Sequence, residues 1–349
     1  MSQDDLNNEI QSCLGKSCQL KMTSSIAQKS KPLPAGIYCP VLSLYKPTPR
    51  QEIDYEASYN YFAYLIRGGV DGLVMAGTTA EAVLLSATER QELVRVARRA
   101  AIDLGFPNFP VVAGISGQST NESIQLAQDA HEAGGDFGLL LPPSYWVKAV
   151  TKDVIVDFYR EVADNSPIPI VIYSFPAMCN GVDLNSDVMS ELAQHPNIVG
   201  TKLTCGNAGK VTRLTNEYSH EQFSVYAGSS DWLLPCLIGG GSGCVTGIGN
   251  VFPKSVAKLY ALWKEGKVQE ATKLQGFVAQ AEKACKEGIA PTKFAAGYFA
   301  GPGAGVTDEK AFWPRKPYKP TGKEKQEWVV KVMQDLVEIE QSIPDRVGR

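Results

Sequence analysis

What most constrains this chain is an alternation repeated eight times. From Gly36 onward, short runs rich in Val, Ile, Leu and aromatic residues alternate with stretches of helical period. The runs predict strands over 37–45, 72–76, 110–115, 137–141, 169–175, 198–204, 223–228 and 243–248. The intervening segments predict helices over 52–67, 87–104, 120–133, 152–164, 186–194 and 209–218. Strands that are apolar nearly throughout, each returning through a helix, imply a parallel sheet buried on both faces. Eight such units predict an α/β fold in which the sheet closes into a (β/α)8 TIM barrel.

The competing architecture is an open doubly wound sheet. No G-x-G-x-x-G follows the first strand and no phosphate-binding loop occurs. The glycine-rich Gly239-Gly240-Gly241-Ser242-Gly243 precedes a strand, so it reads as a tight helix-to-strand turn. Boundary signals support the element plan: Ser86-Ala87-Thr88-Glu89 is a capping box, Asn185 an N-cap, and Gly68-Gly69, Gly105 and Gly134-Gly135 follow helices. At 349 residues the chain could hold two domains, but barrels of this kind often run to about 250 residues as one. The expected organisation is a flexible N-terminal tail over 1–33, the barrel over 34–265 and a C-terminal helical extension over 266–349. That extension holds helical segments at 255–265, 268–288, 292–300 and 324–342, and is expected to serve packing and oligomer contacts.

Composition removes several functions. With a formal charge of -3 and its cations scattered among acids, the chain offers no basic field to a phosphate backbone, so nucleic acid is not an expected partner. Eight dispersed cysteines without a C-x-x-C pair read as reduced thiols, mostly in the core. The three histidines, His131, His195 and His220, sit on predicted helices or helix ends. No metal site and no Ser-His-Asp triad has obvious members, which pushes the chemistry toward lysine and tyrosine. The first 33 residues hold no apolar run long enough for a signal or a membrane span. They carry Asp4, Asp5 and Glu9, and no arginine occurs before Arg50, so the expected location is the cytoplasm, the mitochondrion not being excluded.

Within Ile198-Val199-Gly200-Thr201-Lys202-Leu203-Thr204, a lysine interrupts an apolar strand. Burial disfavours an ammonium ion, and a neutral amine is the nucleophile that imine chemistry on a carbonyl requires. The plainer alternative is a strand end whose charged head reaches water. In a barrel, however, the site lies where the strands end, and unusual residues converge there. The second strand runs into Ala76-Gly77-Thr78-Thr79-Ala80-Glu81, the fourth into Pro142-Pro143-Ser144-Tyr145-Trp146, and the fifth holds Tyr173. Thr78 and Thr79 suit a carboxylate or merely cap a turn. Tyr173 is a catalytic phenol or a core tyrosine, Tyr145 a site residue or rim cover, and Glu81 an acid or a dipole partner.

The order G-T-T-x-E, P-x-x-Y, I-Y-x-x-P, G-x-K-x-x-x-G, A-G-S and G-x-V-T-G-x-x-N-V resembles the dihydrodipicolinate synthase and N-acetylneuraminate lyase superfamily of pyruvate-dependent class I aldolases. The resemblance covers Gly36 to Gly288. It implies that Lys202 forms an imine with the keto carbon, with no other cofactor, and that Tyr173 transfers protons beside it. It also implies a relay of Thr78 and Tyr145 with Tyr173, Tyr145 entering from a neighbouring subunit of a dimer or tetramer. Thr79 would bind the ketoacid carboxylate, with Gly77, Thr204, Gly228 and Val245 completing the substrate pocket.

Departures from the pattern bear on the substrate. The synthase that condenses pyruvate with aspartate semialdehyde carries an arginine after Tyr-x-x-Pro. Here Tyr173-Ser174-Phe175-Pro176-Ala177-Met178-Cys179-Asn180-Gly181 has none and is one residue longer. Leu203 and Ala80 also differ from the usual residues. The segments 166–174 and 194–200 look instead like eukaryotic 4-hydroxy-2-oxoglutarate aldolases and fungal aldolases of 2-keto-3-deoxy sugar acids. The expected function is a lyase that cleaves such a ketoacid to pyruvate and an aldehyde. The alternatives are the synthase reaction and a non-catalytic ketoacid-binding barrel.

Overall fold

The computed structural model describes residues 29–346. Eight parallel strands form a closed barrel in chain order: β1 (Gly36–Pro40), β2 (Gly72–Met75), β3 (Val111–Gly114), β4 (Phe137–Leu140), β5 (Ile170–Ser174), β6 (Ile198–Leu203), β7 (Ser224–Ala227) and β8 (Gly243–Val245). Around them run α1 (Tyr55–Arg67), α2 (Ala87–Asp103), α3 (Thr120–Glu132), α4 (Lys152–Asn165), α5 (Ser186–Ala193), α6 (Ala208–Glu217), α7 (Leu233–Ile238) and α8 (Pro253–Lys264). The predicted (β/α)8 barrel is therefore the fold. Every strand residue is buried, as two covered faces require. Inward side chains including Tyr38, Val74, Val112, Leu139, Val171 and Val245 form one apolar cluster, and outward ones join the helices in another. Each fully buried aliphatic side chain contributes roughly 1.5–3 kcal/mol.

Strand ends depart from expectation where the backbone leaves the ladder. β1 stops at Pro40 rather than at residue 45, and Val41, Leu42 and Leu44 stay buried outside the sheet. Residues 246–248, expected in the last strand, instead enter the turn Gly247–Asn250. The first helix begins at Tyr55 because Asp54 accepts from the Ala57 amide at 3.0 Å. The capping box at Ser86 is present, Ser86 accepting from the Glu89 amide and Glu89 from the Ser86 amide. Helix α7 went unforeseen, because six apolar residues around Pro235 show no polar face.

Residues 1–28 of the expected tail lie outside the described residues, but 29–33 are packed. The Ser30 amide donates to Pro196 O at 2.9 Å. Leu33 is buried in the barrel-interior cluster, and its carbonyl accepts from the Tyr226 hydroxyl at 2.7 Å. Beyond α8, the chain continues as α9 (Val268–Lys286), α10 (Ile289–Ala295), α11 (Lys323–Met333) and α12 (Val337–Ser342). A wider turn of helix over Ala296–Ala300 extends α10. The expected 324–342 helix is broken by a tight turn at Gln334–Leu336.

One irregularity decides where the chemistry can sit. On β5 and β6, Ile170 pairs with Ile198 but Val171 pairs with Gly200, leaving Val199 as an extra residue on β6. Val199 belongs to the interior cluster. Strict alternation would then turn Lys202 outward, toward the helices. The bulge reverses the phase: Thr201 meets Met189 of α5 at 3.8 Å, Leu203 joins the outer core, and Lys202 faces inward. Gly200 permits it, since a Cβ there would stand 2.4 Å from Ser224 Oγ.

Candidate active site

The described residues include three buried lysines, Lys202, Lys210 and Lys293. A buried ammonium is costly unless it is paired. Lys210 Nζ reaches Asp183 at 2.5 Å and Lys293 Nζ reaches Glu81 at 2.6 Å. Lys202, only 4% exposed, has no carboxylate within ion-pair distance among the described residues. Its Nζ instead lies 4.1 Å from the centre of the Tyr173 ring. The two residues are register partners on β5 and β6. A lysine without a carboxylate partner and a phenol thus share the interior of the barrel near the strand ends.

On β2 the chain leaves the barrel through Ala76, whose φ of 47° is left-handed, into Gly77-Thr78-Thr79-Ala80. Gly114 of β3 accommodates that exit, because a Cβ there would stand 2.0 Å from Ala76 O. Thr78 and Thr79 are half-buried. A cavity of about 190 Å³ opens here, walled by Gly77, Thr78, Gln118, Ser144, Tyr173 and Met178 among others. A larger cavity of about 320 Å³ lies among the C-terminal helices, away from Lys202 and Tyr173. The smaller one is the cavity that Tyr173 lines.

Of the residues singled out in the sequence, Gly77, Thr78 and Tyr173 line this cavity, and Lys202 does not line it but lies against the Tyr173 ring. Thr79 sits beside Thr78 on the same turn without forming a wall. Gly228 and Thr204 press against each other, a Cβ on Gly228 falling 2.1 Å from Thr204 Oγ1, and that buried hydroxyl has no hydrogen-bond partner. Val245 is in the interior cluster with Tyr173. Tyr145 is not brought in: it is 74% exposed, packed edge-to-face on Trp146. Its amide and that of Ser144 donate to Gln118 Oε1, both at 3.1 Å.

Several neighbours escaped sequence reasoning. Gln118 fixes the Ser144–Tyr145 turn, and its amide nitrogen is left free to donate. Cys179, at the cavity wall, has its thiol pushed up to about 11 by burial, so it stays protonated near neutral pH. Met178 occupies the wall after Tyr173, where an arginine was missed. Glu81 caps no long helix; it is buried and bound to Lys293. None of the three histidines lines the cavity, and among the described residues no three His, Cys, Asp or Glu gather into a metal-holding group. No helix of the described residues is long and apolar enough to cross a membrane.

Comparison with known proteins places the chain in a family. A Coccidioides immitis protein named provisionally as a mitochondrial 4-hydroxy-2-oxoglutarate aldolase is 44% identical over 307 residues, spanning 87% of this chain and 96% of its own. An L-threo-3-deoxy-hexylosonate aldolase of Aspergillus niger is 33% identical over 338 residues, spanning 90% of this chain and 98% of its own. A crystal structure of a Coccidioides immitis protein, provisionally assigned to the dihydrodipicolinate synthase family, superposes with a TM-score of 0.83 at 41% identity, covering 90% of this chain and 99% of that one. The profile of the dihydrodipicolinate synthetase family matches residues 34–336, a span that takes in the whole barrel, Tyr173 and Lys202, so the chain belongs to that family and within it is an aldolase.

Proposed function

We propose that the protein cleaves a 4-hydroxylated 2-ketoacid, such as 4-hydroxy-2-oxoglutarate or a 2-keto-3-deoxy-hexonate, into pyruvate and an aldehyde through an imine on Lys202. The observation that carries this reading is the unpaired buried amine facing a phenol. Lys202 Nζ attacks the C2 carbonyl, and loss of water gives a protonated imine. Tyr173 takes the proton of the C4 hydroxyl, the C3–C4 bond breaks, and its electron pair passes into the imine as an enamine. The aldehyde leaves, C3 is protonated, and water releases pyruvate and free Lys202.

Thr79 and the free Thr204 hydroxyl serve the ketoacid carboxylate, with Gly77, Gly228 and Val245 shaping its pocket. Thr78 passes protons to Tyr173. Met178 in place of a guanidinium disfavours condensation with aspartate semialdehyde, since the loop after Tyr173 carries no bidentate clamp for a second carboxylate, and Arg90, the one guanidinium among the lining residues, has its Nη2 on Ala82 O at 2.7 Å. Pyruvate and borohydride test the imine directly: a reduced adduct on the Lys202 peptide is expected, and an unmodified Lys202 under saturating pyruvate overturns the reading. Cleavage rates on a panel of hydroxylated 2-ketoacids then select the substrate.

The exposed pair Tyr145 and Trp146, with Met178 53% exposed beside the cavity, supports an assembly in which these rims meet. We place Tyr145 in the site of a neighbouring subunit of a homotetramer. Tyr145→Phe should then lower kcat at least about tenfold with the mass of the assembly unchanged. Unchanged kcat, or a monomer by sedimentation, returns Tyr145 to the surface. The Coccidioides relative is named mitochondrial; cell fractionation tests whether this protein shares that location.

A further inference from the structure

The C-terminal helices were expected to serve packing and assembly, yet they send two buried charged groups to the loops of the site. Glu282, on α9, is 2% exposed and Lys293, on α10, is wholly buried. Glu282 accepts from the Ser230 hydroxyl, from Thr246 Oγ1 at 2.7 Å and from the Ile248 amide at 3.4 Å. Thr246 Oγ1 and Ser230 Oγ lie 2.9 Å apart on the same carboxylate oxygen. One carboxylate thereby ties the loop after β7, which begins at Gly228, to the loop after β8, which follows Val245.

Lys293 does the same for the neighbouring segments, those after β1 and β2. Its Nζ donates to Ser43 O at 2.8 Å and to Glu81 at 2.6 Å. Ser43 Oγ donates to Ala80 O at 2.7 Å, and the Glu81 amide donates to Thr78 O at 3.0 Å. Glu81 holds a left-handed φ of 58° and also accepts from the Arg315 amide at 2.9 Å. The segment Thr78-Thr79-Ala80 is thus bracketed by two groups that a single lysine fixes.

Packing an appended helical bundle requires neither polar group. The Lys293–Glu81 ion pair is of a kind replaceable by apolar residues of similar volume, often with a gain in stability, and Glu282, its carboxyl pushed up by burial, has no cation partner among the described residues. What these groups supply is direction: each binds loop atoms that an apolar side chain could not hold.

We propose that Glu282 and Lys293 are positioning residues of the active site, Lys293 acting through Glu81 on the Thr78–Thr79 turn and Glu282 acting on the loops bearing Gly228 and Val245. The C-terminal extension is then part of the catalytic unit. The proposal rests on the imine reading of Lys202, and one experiment separates the two.

Full-length wild type, Glu282→Gln and the double variant Glu81→Gln/Lys293→Met are compared by borohydride trapping with pyruvate and by steady-state cleavage of the best ketoacid. The double variant leaves no lone buried charge, so it folds even where Lys293→Met alone does not. Displacing reacting groups by about 1 Å costs up to about 100-fold. The double variant should therefore lose about 10- to 100-fold in kcat and, because the same turn carries Thr79 to the ketoacid carboxylate, raise half-saturating pyruvate in trapping as well. Glu282→Gln, which touches only the loops after β7 and β8, should raise half-saturating pyruvate about tenfold with kcat within about threefold. Folded variants with kcat and half-saturation within about twofold of wild type overturn the positioning role. Absence of trapping in the wild type overturns the imine reading instead, whatever the variants do.

Discussion

Lys202→Met is expected to abolish turnover and borohydride trapping together while leaving the melting temperature unchanged or raised. The two effects separate because of what surrounds the amine. Methionine matches the length of the lysine stem and needs no hydration. No carboxylate faces Lys202 among the described residues, so the substitution strands no buried charge. The same change at Lys293 would leave the buried Glu81 without its partner, and there a loss of stability is expected. Removing a covalent nucleophile typically costs several orders of magnitude, so cleavage should fall at least about 1000-fold. Steady-state assay, peptide mass analysis and thermal melting of one preparation check all three. Residual cleavage above about one per cent would show that another group carries the reaction.

The barrel was legible because its signal is redundant. Eight apolar runs and the helices between them each report the same topology, and errors at strand ends such as Pro40 or Val245 leave it untouched. Lys202 stood out through contrast, a single cation in an apolar strand. Its inward direction was not legible. That depends on Val199 being an extra residue opposite β5, and no local preference marks a bulge beyond the glycine at position 200.

The supporting groups were hidden for a related reason. Glu282 sits in a helix whose other charges face water, so a charged residue there reads as solvated surface. Only contacts across tens to hundreds of residues, Glu282 to Ser230 and Lys293 to Glu81, reveal them as buried. Lys293 did carry one faint mark, since Ile289-Ala290-Pro291-Thr292-Lys293-Phe294-Ala295 is as apolar around its lysine as the strand around Lys202. Two lysines in apolar segments thus have opposite fates. The one with a carboxylate partner holds the scaffold, and the one without is free to react.

Tyr173→Phe is expected to separate imine formation from bond cleavage. The substitution keeps the ring that lies 4.1 Å from Lys202 Nζ and 5.7 Å from the Phe175 ring. Packing in the interior cluster is retained, and folding should change little. Only the phenolic oxygen goes, and with it the base that removes the C4 hydroxyl proton. A positioned acid or base contributes about 100- to 10,000-fold, so kcat should fall within that range. Pyruvate has no C4 hydroxyl, so the variant should still form the reducible adduct on Lys202, which Lys202→Met cannot. A Tyr173→Phe enzyme with kcat within about threefold of wild type would remove the phenol from the mechanism. Lost trapping with wild-type melting would instead assign Tyr173 to the imine-forming step, where its hydroxyl would carry protons to and from the departing water.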